Sequence, residues 1–144
     1  MAGFRFSLEK VRSYKASLEE QLKMQLAAAR RRQEEEEGRL AYYRQLRTCR
    51  EAPRGELRAD DLLQEAALLE ALDGRILHQE EKVARARLAV EEKRDCVQTV
   101  MRERKVLDRL RDRQLAAYLY EQAREEQKQI DDAAAVRFQS CFGK

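Results

Sequence analysis

The sequence predicts an all-α fold, an antiparallel two-helix coiled-coil hairpin whose C-terminal helix is the longer of the two. Three observations carry this expectation. Leu62, Leu69, Ile76, Val83, Val90 and Val97 recur at intervals of seven, the spacing of a coiled-coil seam. Charged residues make up 40% of the chain, with one proline and no tryptophan, a composition of long exposed helices rather than of a packed globule. The only strong break is Glu51-Ala52-Pro53-Arg54-Gly55-Glu56. Proline lacks a backbone donor and clashes with the preceding turn, and the glycine tolerates a left-handed backbone, so the chain is expected to reverse there.

The first helix is expected from about residue 7 to 50, with Ser7 as its N-cap. Leu8, Val11, Leu18 and Leu22 keep a three-four spacing, Leu26 and Ala29 continue it slightly out of phase, and Leu40, Tyr43 and Leu46 resume it. Between them lies Arg30-Arg31-Arg32-Gln33-Glu34-Glu35-Glu36-Glu37-Gly38-Arg39. This run reads as a solvated helical stretch rather than a docking patch, with Arg30, Arg31 and Arg32 each placed to pair with a glutamate four residues on. Gly38 weakens it locally.

A turn over about 51–58 leads to a second helix over about 59–137, giving one helical-hairpin domain over 1–144. Asp60 and Asp61 sit in its first turn, where negative charge complements the free amides. Leu72, Ala86, Val100 and Leu107 supply the other half of the seam. At 1.5 Å per residue the helices are about 65 Å and roughly 110 Å long. Folding back at Pro53 sets residue 8 opposite approximately residue 100, which leaves everything after about 105 without a helix to pair with. That overhang carries Leu107, Leu110, Leu115, Tyr118, Leu119, Ile130, Val136, Phe138 and Phe142. A solitary helix with an apolar face is marginal in water, so it is expected to fray, to be covered by another protein, or to be buried in a parallel or antiparallel dimer.

The remaining composition excludes several classes. Thirty basic residues face 27 acidic ones, for a net charge of +3, and the signs are interleaved, which argues against a dedicated nucleic-acid or membrane-surface protein. The N-terminus has no apolar run long enough for a signal peptide, and no stretch approaches the roughly 20 apolar residues of a membrane span. The chain is therefore expected to be cytoplasmic, without direct membrane insertion. Cys49, Cys96 and Cys141 are too far apart in sequence for a metal-ligand pair. In the expected register Cys49 faces the region near 59 and Cys96 the region near 12, so all three are expected as free thiols. With His78 the only histidine, no metal or other cofactor is expected. The five glycines are isolated, so no P-loop is present. Glu91-Glu92 and Asp131-Asp132 on exposed helices have nothing to separate their pKa values, so the chain is expected not to be an enzyme.

Phe4-Arg-Phe-Ser-Leu-Glu-Lys-Val11, Tyr43-Arg44, Leu69-Glu-Ala-Leu72 with Ile76 and Gln79, Glu91-Glu-Lys-Arg94, Leu107-Asp-Arg-Leu-Arg111 and Glu126-Gln-Lys-Gln-Ile-Asp131-Asp-Ala133 together resemble the flagellar export protein FliJ family, over Phe4 to Phe138. The resemblance implies an antiparallel hairpin similar to the stalk of rotary ATPases, working in flagellar type III export at the cytoplasmic face of the inner membrane. It implies three partners: the export ATPase FliI, the export-gate protein FlhA and export chaperones. On that pattern Phe4, Phe6, Leu8, Leu110, Tyr118 and Phe138 are expected at the ATPase ring, and Tyr43, Leu68, Leu72, Arg75 and Gln79 at the gate. Leu72 and Tyr43 fit the seam equally well, Leu68 is the better contact because Leu69 already occupies the seam, and Arg75 is long and charged where a small residue is expected. A virulence-type secretion stalk, a nucleic-acid-binding arm resting on Arg30 to Arg32 and Arg102 to Arg113, and a structural coiled-coil scaffold are the competing readings. A free monomer is expected of the hairpin.

Overall fold

The computed structural model describes residues 3–51, 55–56 and 58–143. They form two helices, α1 (Glu9–Glu51) and α2 (Ala59–Phe142), and no strand among the described residues. The fold is all-α, with the second helix the longer. Pro53, on which the predicted break centres, lies outside the described residues together with Ala52, Arg54 and Leu57.

The helix ends follow from backbone hydrogen bonding. At the start of α1 the Arg12 amide donates to the Leu8 carbonyl at 2.9 Å, and the Glu9 amide donates to the Phe6 carbonyl at 3.2 Å. Leu8 is thus the cap residue, and Ser7 sits one step earlier, in the turn. At the start of α2 the Leu62 amide donates to Arg58 at 3.1 Å, with Asp60 and Asp61 in the first turn as expected. The far end of α2 runs past the limit near 137. Ala133, Ala134 and Ala135 favour helix, and the rings of Phe138 and Phe142, one turn apart, lie 4.7 Å from each other. It stops at Gly143, whose amide donates to the Gln139 carbonyl at 2.9 Å. A Cβ on residue 143 would stand 2.6 Å from that same oxygen, so the close approach requires glycine.

The chain divides into two compact units, Leu18–Thr99 and Met1–Ser17 with Val100–Lys144. In the first, α1 and α2 run antiparallel, and the residues they turn toward one another keep an unbroken three-four spacing. From α1 these are Glu19, Leu22, Leu26, Ala29, Gln33, Glu36, Leu40, Tyr43, Arg47 and Arg50, all buried or half-buried. From α2 they include Glu65, Leu69, Leu72, Ile76, Gln79, Val83, Ala86, Val90, Lys93 and Val97. The expected seam therefore holds from Leu69 to Val97. It fails at Leu62, which is 54% exposed. Among the described residues, pairing across the helices begins with Arg50 and Glu65, at 3.4 Å, and every described residue of α2 before Glu65 is exposed.

This delayed start shifts the register. In the second unit Arg12 Nε donates to Asp108 at 2.7 Å and Lys15 Nζ to Glu103 at 2.6 Å, so residue 12 faces 108 rather than the neighbourhood of Cys96. Glu9 meets Arg111 at 3.8 Å, and the Phe4 ring lies 5.7 Å from that of Tyr118. The helix after 105 is thus partnered as far as Tyr118, and only 123–143 is exposed throughout. Leu8 and Val11, expected on the seam, are exposed, because Arg12 and Lys15 take the facing positions. Phe6 and Val100 are buried instead.

Within the polar run over 30–39, Gln33 and Glu36 face the partner helix, while Arg30, Arg31, Arg32, Glu34, Glu35, Gly38 and Arg39 are exposed. Glu36 and Glu37 turn to Gln79, Arg39, Arg87 and Gln33 instead of Arg32 and its neighbours. Truncating Leu40, a buried seam residue, is expected to cost about 2 kcal/mol by the transfer and cavity terms. Truncating Leu63, 71% exposed, is expected to change stability by less than about 0.5 kcal/mol. Urea unfolding of Leu40→Ala and Leu63→Ala checks the pair; equal losses would contradict this seam.

Candidate functional site

The residues expected at the export gate all fall in the Leu18–Thr99 unit, but the structure gives them different tasks. Leu68 is 50% exposed, and Arg75, seven residues or about two turns further along α2, is exposed too. With Leu46, Arg50, Ala71 and the edge of the buried Leu72 they line one shallow groove. Tyr43 is half-buried on the seam, its ring 5.9 Å from that of Tyr42. Gln79 is only 4% exposed. Its Nε2 donates to the Glu36 backbone carbonyl at 3.0 Å and to the Glu36 carboxylate, so both of its amide donors are spent inside the hairpin. The apolar-pattern reading of the sequence could not place a glutamine in the core.

The residues expected at the ATPase ring all fall in the other unit. Phe4 and Tyr118 are brought together, and Gln122 Nε2 donates to the Tyr118 hydroxyl at 2.8 Å. Phe6 is buried and therefore holds the chain start in place. Leu8 and Leu110 are exposed at 37% and 36%. Phe138 stands well apart from these in α2, exposed and stacked on Phe142. The apolar surface this unit offers a partner includes Leu8 and Leu110, together with Val106, Leu119 and the apolar side chains of 123–143 such as Ile130 and Val136.

Cross-helix polar contacts set the electrostatics. The bond from Gln79 holds the Glu36 carboxyl below its usual range, helped by the nearby charges of Arg39, Lys82 and Arg32 against partial desolvation. Bonds from Gln33 and then Arg87 do the same for Glu37. The Arg47 guanidinium, which donates to both carboxylate oxygens of Asp73, lowers the Asp73 carboxyl. In α1 Lys23 Nζ donates to the buried carboxylate of Glu19 at 2.7 Å, and that bond, with a second to Glu20, raises the pKa of the Lys23 ammonium. No group of three or more potential metal ligands converges among the described residues, and none of the described helices is long and apolar enough to cross a membrane.

The family model of the flagellar FliJ protein matches residues 4–140. The chain belongs to the FliJ family. The match takes in the aromatic start of the chain, both helices and nearly all of the exposed stretch after Gln122. No curated protein and no solved structure gives a significant match. Membership in this family associates the protein with the flagellar type III export apparatus.

The lowered carboxyls fix the direction of the pH response. Their folded-state pKa values lie below the unfolded ones, so their stabilisation is complete above the ordinary glutamate value of 4.5 and is lost as pH falls through the folded value. Thermal melts across pH 7 to 3 are expected to show a falling midpoint, and the fall is expected to be smaller in Gln79→Leu, which removes the bond to Glu36. Superimposable acid limbs for the two proteins would contradict this.

Proposed function

We propose that this FliJ-family protein is a non-enzymatic stalk component of flagellar export that binds the ATPase FliI through one unit and the export gate FlhA through the other, and that also handles export chaperones. The match over 4–140 carries the reading. It gains support from apolar side chains left uncovered in each unit, among them Leu8, Leu110 and Phe138 in one and Leu68 in the other, since a coiled coil acts by presenting such side chains to partners.

On this reading the first and last parts of the chain work together at the ring. Phe4, Phe6 and Tyr118 form the support, and Leu8, Leu110 and Phe138 make the contact. At the gate, Leu68 and Arg75 make the contact, while Tyr43, Leu72 and Gln79 fix the spacing of the helices beneath them. Binding need favour the active or assembled ATPase state by only a few kcal/mol to shift its population. The whole chain acts as one module, held peripherally at the membrane by its partners.

Purified FliI is expected to bind the protein and to change its ATP turnover. Leu8→Asp/Leu110→Asp is expected to weaken that binding about tenfold or more, roughly 1.4 kcal/mol, without loss of helicity. The cytoplasmic domain of FlhA is expected to lose affinity for Leu68→Asp by a similar factor and to be indifferent to the first variant. Unchanged ATPase turnover and no retention of either partner in pull-downs would reject the stalk reading.

A further inference from the structure

We propose that the groove bounded by Arg32, Arg39, Lys82 and Arg85 in the Leu18–Thr99 unit is a docking site for an acidic amphipathic helix of a partner protein. Arg32 and Arg39 stand seven residues apart in α1, so they share one face about 10.5 Å apart. Lys82 and Arg85, one turn apart in α2, form the other wall, and Ala86 and Ala89 lie between the walls. Small floor residues let a third helix approach at the short end of the interaxial range of about 8–10 Å.

The charge of this groove is unbalanced. Its lining carries four cations and one carboxylate, Glu36, and that carboxylate is already taken by Gln79 and by Arg39 at 3.3 Å. Arg85 reaches only the solvent-exposed Glu81, at 3.5 Å. Among the described residues Arg32 and Lys82 make no ion pair. The contacts at heptad-equivalent positions on the other flank of the same hairpin are matched, Arg44 with Glu80 at 2.7 Å and Arg87 with Glu37 at 2.8 Å. Coiled-coil flanks ordinarily pair opposite charges, and like charges crowded along one groove repel. A partner's carboxylates relieve that repulsion and steer association.

Carboxylates spaced three, four and seven residues apart on a helix fit these walls, whereas a nucleic acid, continuously negative along its backbone, would run its phosphates past Glu36 and Glu81. Seven residues on from Arg39 in α1, at Leu46, and seven back from Lys82 in α2, at Arg75, the groove gives way to one lined by Leu68, Ala71 and Leu72, so the docked helix should turn apolar there. The assignment of the basic part stands whether or not Leu68 and Arg75 touch FlhA.

The test uses the full chain and a fluorescein-labelled alanine-based helical peptide of about 20 residues, with glutamates at i, i+3 and i+7 and leucines toward one end. Fluorescence anisotropy is expected to show saturable binding that weakens about tenfold or more at raised salt and in Arg39→Glu/Arg32→Glu. Arg39→Glu gives up the ion pair of Arg39 with Glu36, so circular dichroism and thermal melting check that the hairpin stays folded; Lys82→Gln/Arg85→Gln, which leaves that pair intact, gives an independent second variant. FliI and FlhA binding measured on the same variants separates loss of this groove from loss of the stalk reading. Equal binding of a peptide with glutamine in place of glutamate, equal binding by wild type and both variants, or tighter binding of single-stranded RNA than of the acidic peptide would each overturn the proposal.

Discussion

The constraint on which the rest of this structure depends is the unbroken three-four spacing of facing positions in α1, from Arg12 to Arg50, kept without regard to whether the residue is apolar. Glu19, Gln33 and Glu36 occupy it as regularly as Leu22, Leu26 and Leu40. A slim helix pair has little apolar area to bury, with Phe6, Leu40, Leu72, Val83, Val97 and Val100 its only buried apolar residues among those described, so hydrophobic burial alone specifies register weakly. Directional contacts supply what is missing. Gln79 to Glu36, Arg47 to Asp73 and Arg12 to Asp108 each join residues far apart in sequence, and each is satisfied in one alignment of the helices only.

Polar seam positions of this kind trade stability for specificity in coiled coils, and here they connect fold to function. Side chains that face inward, such as Gln79 and Leu72, cannot also face a partner. They determine instead which neighbours do. Leu68 and Arg75 lie outside the seam because Leu69, Leu72 and Ile76 lie on it, and Arg32 and Arg39 reach the groove because Gln33 and Leu40 turn inward beside them. In the other unit, Arg12 and Lys15 take the facing positions and so turn Leu8 outward.

Much of this was legible in the sequence. The all-α hairpin, the longer second helix, the seam from Leu69 to Val97, the acidic first turn of α2 and the FliJ family all follow from heptads, one proline and a handful of short motifs. The register did not follow. Apolar residues alone suggested that α1 slips out of phase at Leu26 and Ala29, breaks off over Arg30 to Arg39, and sets Leu8 and Val11 on the seam. The signal that survives is the spacing itself, with glutamate and glutamine admitted as members. Leu62 looked like the first seam position because it fits the interval of seven, yet α1 ends before reaching it. Periodicity within one helix carries no information on where its partner stops.

An engineered disulfide reads the register most directly. In a background with Cys49, Cys96 and Cys141 changed to serine, Arg12→Cys/Asp108→Cys is expected to cross-link within one chain on mild oxidation, since a disulfide needs Cα atoms within about 7 Å; in a second background that changes only Cys49 and Cys141 and keeps Cys96, Arg12→Cys is expected to stay reduced. Cross-linking at 12 and 96 but not at 12 and 108, or cross-links only between chains, would contradict the account.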